Sequence, residues 1–255
     1  MKSSLLPVAG LSALFACGGG GGGSSTPAPA PAPPPSASAF EGPWTGTLRS
    51  TTGATVTATA LVLSSGEMRY VASNGIQAVG TVAASGNAAT GSGTLYAPYG
   101  YVFPGNTTST AFSLSGSGIA GTTLSGSYTS AYDSGTFALA YNAGAKYASP
   151  VIMANVAGTY TSTMTSSGYP ISGRLTSTGA LSGSDAFGTL SGTLTAVDPA
   201  KNAFRVNVAY TPTGQAARAY SGLAFFDFSY SPVRLEAQAT GAAGQFAAEL
   251  QLVGP

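Results

Sequence analysis

The sequence predicts an all-β protein: an antiparallel meander forming one large or two tandem small β-barrels or sandwiches, preceded by a disordered N-terminal tether. Three observations carry that reading. Short β-branched and aromatic runs recur roughly every 8–12 residues between Gly, Ser and Asn. Within the clearest runs, large apolar groups alternate with polar ones, and no amphipathic stretch exceeds about two helical turns. Finally, Gly18 to Ala39 carries no charge and no hydrophobic periodicity, so it cannot build a core.

In chain order, residues 1–16 have the three parts of an export signal: Lys2, an apolar run from Leu5 to Phe15, and small residues at the boundary. A run of about 11 residues spans roughly 16 Å as a helix, too short for a bilayer crossing of about 20 residues. Residues 17–39 begin with Cys17, the single cysteine, followed by six glycines and the Pro-Ala repeat from Pro27 to Pro35. The glycines form a flexible coil and the repeat a stiff polyproline rod of roughly 28 Å.

Leu14, Ala16 and Cys17 resemble the motif cut by the lipoprotein signal peptidase, with Phe15 bulkier than the motif usually has there. The resemblance implies cleavage between Ala16 and Cys17 and lipidation of the Cys17 thiol. It also implies anchoring in the outer membrane, since Gly18 stands where inner-membrane relatives often carry Asp. Each buried CH2 contributes about 0.8 kcal/mol, so several fatty chains hold a protein stably.

Residues 40–255 are long enough to bury a real core, read as a first β half, 40–148, and a second, 149–255. Phe204 to Tyr210 places Arg205 and Asn207 opposite its apolar face, and Val233 to Ala239 turns Arg234, Glu236 and Gln238 outward. Phe246 to Leu252 repeats the pattern after a turn at Thr240 to Gly244, giving a hairpin. The link Asp198 to Asn202 reads as a turn in which Pro199 presets φ and Asn202 tolerates a left-handed conformation. Further strands are expected around Thr45, Ala60, Tyr70, Val79, Thr94, Phe112, Ser127, Phe137, Thr161, Ile171, Leu190 and Phe225.

Gly42-Pro43-Trp44-Thr45-Gly46-Thr47 is echoed by Ala157-Gly158-Thr159-Tyr160-Thr161. The echo suggests either two barrels of about eight short strands each or convergent Gly-Thr composition within one sheet. With Gly183-Ser184-Asp185-Ala186-Phe187-Gly188, it resembles uncharacterised β-rich outer-membrane lipoproteins of proteobacteria. More distantly it is similar in architecture to the barrel lobes of surface lipoproteins that bind transferrin or complement regulators. Architecture alone confers no function.

Only 7% of the chain is charged, against about 25% in a typical soluble domain, and the net charge is +1. Such a surface has no electrostatic hold on phosphate, so no nucleic-acid partner is expected. The chain has no histidine, which removes Ser-His-Asp and Cys-His nucleophiles and the usual zinc ligands. No cofactor or metal and no catalytic residue is expected. Glu41, Glu67, Asp133, Asp185, Asp198, Asp227, Glu236 and Glu249 are the carboxylates, of which Glu67, Asp198, Glu236 and Glu249 read as solvated. Asp227, inside an apolar run, reads either as an outward residue or as a buried group needing a partner.

Tyr96, Tyr99, Tyr101 and Phe103 form the candidate binding surface, in a Gly- and Pro-marked loop whose rings could alternatively close the end of a barrel. Trp44 reads as core. The expected function is a non-enzymatic binding or structural domain, held to the membrane through its N-terminal lipid, with a protein or glycan partner the sequence does not identify. The alternatives are a transmembrane β-barrel and a carbohydrate-active enzyme using two carboxylates, for which two acids facing one cleft would speak.

Overall fold

A computed structural model describes residues 37–254, apart from 99, 166–169 and 243. The expected signal, the cleavage site at Ala16 and Cys17 and most of the linker lie outside the described residues, as does Tyr99. Eight strands follow one another as an antiparallel meander: β1 (Gly42–Ser50), β2 (Thr55–Val62), β3 (Glu67–Ala72), β4 (Gln77–Ser85), β5 (Ala88–Tyr96), β6 (Ser109–Ile119), β7 (Thr123–Ser130) and β8 (Ser134–Tyr141). Pairing of β1 with β8 closes them into barrel 1.

Residues 142–157, ending in the single turn of helix α1 (Met153–Val156), lead to a second closed meander. Its strands are β9 (Gly158–Thr165), β10 (Ser172–Leu175), β11 (Ala180–Ser184), β12 (Gly188–Ala196), β13 (Phe204–Pro212), β14 (Arg218–Asp227), β15 (Arg234–Gly241) and β16 (Gly244–Gly254). In barrel 2 it is β16 that pairs with β9. Of the two options left open by the echo, the fold is therefore two tandem barrels. Strand β11 is additional to the strands expected from the sequence, and the strand expected around Ile171 is β10, which begins at the next residue.

The echo has a physical basis. Ahead of β1, a 3-10 turn (Ala37–Phe40) carries the buried Phe40 ring into the start of the barrel. The Trp44 indole Nε1 then donates back to the Phe40 carbonyl at 2.9 Å. Ahead of β9, helix α1 carries buried Val156, and the Tyr160 hydroxyl donates to the Val156 carbonyl at 2.6 Å. Each bond satisfies a carbonyl that the short helix leaves unpaired, using the ring of the third residue of the first strand. Gly42 joins turn to strand at φ +117, a conformation side chains rarely adopt.

Both interiors are apolar and filled. In barrel 1 Trp44, Val62, Met68, Val82, Leu95, Phe112, Leu124 and Phe137 interlock, and in barrel 2 Tyr160, Leu175, Leu194, Val206, Phe226 and Leu235. The residual cavities are about 60 Å³ and about 30 Å³. Both are well below the ~150 Å³ void that admits benzene. Rings fit in so narrow a barrel because neighbouring strands offer glycine. A Cβ on Gly93 would lie 2.9 Å from the Phe112 ring and 2.1 Å from the Val79 carbonyl oxygen. This is the small-against-large alternation that small barrels need.

A third apolar cluster joins the barrels: Leu61 and Leu63 of barrel 1, Ala145 and Tyr147 of the connection, and Ala203, Leu223 and Phe225 of barrel 2. Leu223 and Phe225 point outward from β14, alternating with the inward Ala224 and Phe226. Asn202, fully buried, pins the connection to barrel 2. Its Nδ2 donates to the Ala145 and Phe226 carbonyls, both at 2.6 Å, and its Oδ1 accepts from the Phe226 N–H at 2.9 Å. The left-handed role expected of Asn202 is therefore corrected: among the described residues, the non-glycine ones with positive φ are Asn106 and Lys146.

Candidate functional site

The chain enters barrel 1 at the end plugged by Phe40. The opposite end, or far mouth, collects the connections 51–54, 73–76, 97–108 and 131–133. There the expected aromatic surface divides into parts with different surroundings. Tyr101 and Val102 are 71% and 53% exposed at the crest of the long loop. Phe103 is half-buried, packs on the barrel 1 core, and stacks on Tyr132 with centroids 5.4 Å apart and planes 15° from parallel. Its N–H donates to the Thr107 carbonyl at 2.7 Å, while the Thr107 and Tyr132 hydroxyls meet at 3.2 Å. Tyr96 ends β5 on the outer wall, half-buried and near enough to Arg69 to interact with it electrostatically. Of the described rings, then, Tyr101 faces solvent, Phe103 covers the barrel end, and Tyr96 belongs to the wall.

Tyr132 carries no periodic signal in the sequence, being one tyrosine in a Ser- and Asp-containing turn. The turn is rigid for a reason the sequence also hides. Asp133 accepts from the Tyr128 hydroxyl at 2.7 Å and from the Ser50 hydroxyl at 2.5 Å, and the Ser130 hydroxyl caps the same turn. Burial and the Asp133 carboxylate push the Tyr128 hydroxyl far above its ordinary range, so it remains a donor at any ordinary pH. This mouth offers a ring, an aliphatic side chain and fixed hydroxyls on a rigid base, which is chemistry for contact recognition.

The carboxylates expected to be solvated lie in a different setting. Glu236 and Gln238 do point outward from β15, but the outer wall there is covered, leaving them 5% and 4% exposed. Burial, then the facing Glu249, hold the Glu236 carboxyl well above the usual carboxylate range, with Asp227 adding to the rise and Arg234 opposing it. Arg234 contacts Glu249 at 3.0 Å and Glu236 at 3.9 Å, and lies 3.7 Å over the Tyr230 ring. Asp227 proves buried, accepting from Asn142 Nδ2 at 2.6 Å and from the Ser229 N–H and hydroxyl.

Glu67 also has partners, bridging the barrels to Arg205 at 2.6 Å, and Glu41 does so to Lys201 at 2.9 Å. Arg69 donates to Thr240 Oγ1 at 3.0 Å and Gln238 Nε2 to the Thr59 carbonyl at 3.3 Å across the same seam. Glu236 and Glu249 are directly opposed across the β15–β16 ladder. Neither lines the barrel cavities, and Glu236 is sealed from substrate-sized molecules. Among the described residues, no group of three or more His, Cys, Asp or Glu could hold a metal ion.

The site thus has two kinds of polar chemistry: an accessible mouth of rings and hydroxyls, and a covered seam of charges that joins the barrels. Compared with protein-family models, with curated proteins and with solved structures, the chain matches none.

Proposed function

We propose that this is an outer-membrane lipoprotein, held through a lipidated Cys17, whose two barrels serve a non-enzymatic binding role. The observation that supports it is one of polarity along barrel 1. The chain arrives at the Phe40 end, and the loop bearing exposed Tyr101 and Val102 opens at the other. A tether on the first end would turn the recognition surface away from the lipid. The outward rows also favour water over lipid. Thr90, Ser92, Ser113, Ser115, Ser125 and Ser127 are exposed, while apolar side chains face the interior. A lipid-embedded barrel needs the reverse arrangement.

Mass spectrometry of the mature N-terminus tests the anchor, with a triacylated Cys17 as the expected result and precursor accumulating under globomycin. A bare thiol at that position, or a mature chain beginning elsewhere, would overturn it. Affinity capture with the lipidated protein tests the mouth: Tyr101→Ala should release the captured partner without changing the melting temperature.

A further inference from the structure

We propose that the mouth of barrel 2, around Asp185, binds a neutral oligosaccharide. The inference does not rest on the lipid anchor or on the Tyr101 surface. Between the β11–β12 turn and the β13–β14 loop lies an open depression of about 510 Å³ lined by Asp185, Thr189, Thr211, Thr213 and Gln215. That volume falls within the ~300–1,000 Å³ range of small-molecule sites. In the same turn Phe187, between the lining residues Ala186 and Gly188, is 49% exposed.

The polar groups are held in place and still have capacity to spare. Asp185 is half-buried, and the Tyr210 hydroxyl donates to both its oxygens, at 2.9 and 3.1 Å. The Phe187 N–H donates to Oδ1 at 2.8 Å. A carboxylate offers about four lone-pair sites, so acceptor capacity remains, chiefly on Oδ2, for a ligand hydroxyl. The Thr213 hydroxyl donates to the Phe187 carbonyl at 3.0 Å and keeps its lone pairs. Gln215 Oε1 accepts from Arg218 at 2.6 Å, which leaves the amide NH2 to donate.

Acceptors held by hydrogen bonds, an amide donor and an exposed ring carried on the same pair of loops suit a pyranose, which presents hydroxyls that both donate and accept around a C–H face. An anion would meet the Asp185 carboxylate, with Arg218 already engaged by Gln215. A metal cation would find a single carboxylate, short of the several oxygen ligands such ions require.

The experiment is calorimetric titration of the intact protein in detergent with cellohexaose, chitohexaose and maltohexaose. At least one should bind saturably, with affinity unchanged between about 0.05 and 0.5 M salt, because a neutral ligand carries no charge to screen. Phe187→Ala and Asp185→Asn should each weaken binding about tenfold or more, roughly the loss of one good contact. Tyr101→Ala and Cys17→Ser should leave it intact, so failure of the anchor would not be mistaken for failure of this site. Circular dichroism melts establish that each variant folds, and Phe187→Ala, which removes an exposed ring, keeps the test open if Asp185→Asn does not. Absence of binding by all three sugars, wild-type affinity in Phe187→Ala, or displacement of the sugar by putrescine would each overturn the proposal.

Discussion

Barrel 1 turns Thr90, Ser92, Ser113, Ser115, Ser125 and Ser127 outward along β5, β6 and β7, and all six are exposed. Barrel 2 turns Leu223, Phe225, Glu236 and Gln238 outward along β14 and β15, and all four are buried. The two barrels share strand number, strand order and the carbonyl-to-ring bond at the first strand. Their closure therefore depends on the inward rows, while the outward rows decide whether a wall meets water or another barrel. A meander can keep its fold while its outer wall is rewritten, which is how one topology comes to supply both a free surface and a docking surface.

The largest effect should come from the seam. Asn202→Ala leaves the Phe226 N–H and two carbonyls without their partner, and about 4 kcal/mol of stability should be lost in urea denaturation. Asn207→Ala, on the exposed wall of the adjacent strand, should stay within about 0.5 kcal/mol. Equal losses at the two positions would break the contrast between covered and free walls.

Phe103→Ala should cost about 2 kcal/mol by uncovering the end of barrel 1, whereas Tyr101→Ala should leave the melting temperature unchanged. The pair separates the ring that holds the loop from the ring that faces solvent.

Glu236 sharpens the comparison through pH. Its folded-state pKa lies above the ordinary unfolded value of about 4.3, so between those values the folded protein keeps a proton that the unfolded chain releases. The favourable contribution is complete below the unfolded value and is lost as pH rises through the folded one. Glu236→Gln should remove that fall and gain roughly 1–2 kcal/mol at alkaline pH, where the native seam would otherwise bury a charge. Denaturation midpoints of the two proteins across a pH series provide the check, and parallel curves would place Glu236 in water.

The smallest effect concerns what the barrels share. Tyr160→Phe removes one hydroxyl and its bond to the Val156 carbonyl, for a loss of about 1 kcal/mol by thermal denaturation. No loss would mean that the bond is incidental to closure.

The strands were legible because alternation with a period of two is dictated by the pleat, and Phe204 to Tyr210 shows it without ambiguity. Strand β11 escaped notice because Ala180-Leu181-Ser182-Gly183-Ser184 offers a single large apolar residue, too few to show a period. Alternation correctly sent Glu236 and Gln238 outward from their own core, yet it carries no information about a second barrel lying against that wall. Asn202 was misread for a related reason. Asn is common in turns because it tolerates left-handed backbone, and only the folded chain reveals that its amide is spent on three backbone groups. The Tyr101 loop was recognisable by composition, but its division into cover and surface follows from the partner ring at Tyr132.

The bond between Trp44 and the Phe40 carbonyl also has a mechanical consequence. Tension arriving along the polypeptide from the N-terminal side meets an embedded benzene ring before it reaches the first rung of β1, the Gly42–Val62 pair. Load is therefore borne first by a side chain wedged in a hydrophobic socket, and peeling of the opening strand begins only after that wedge is drawn out.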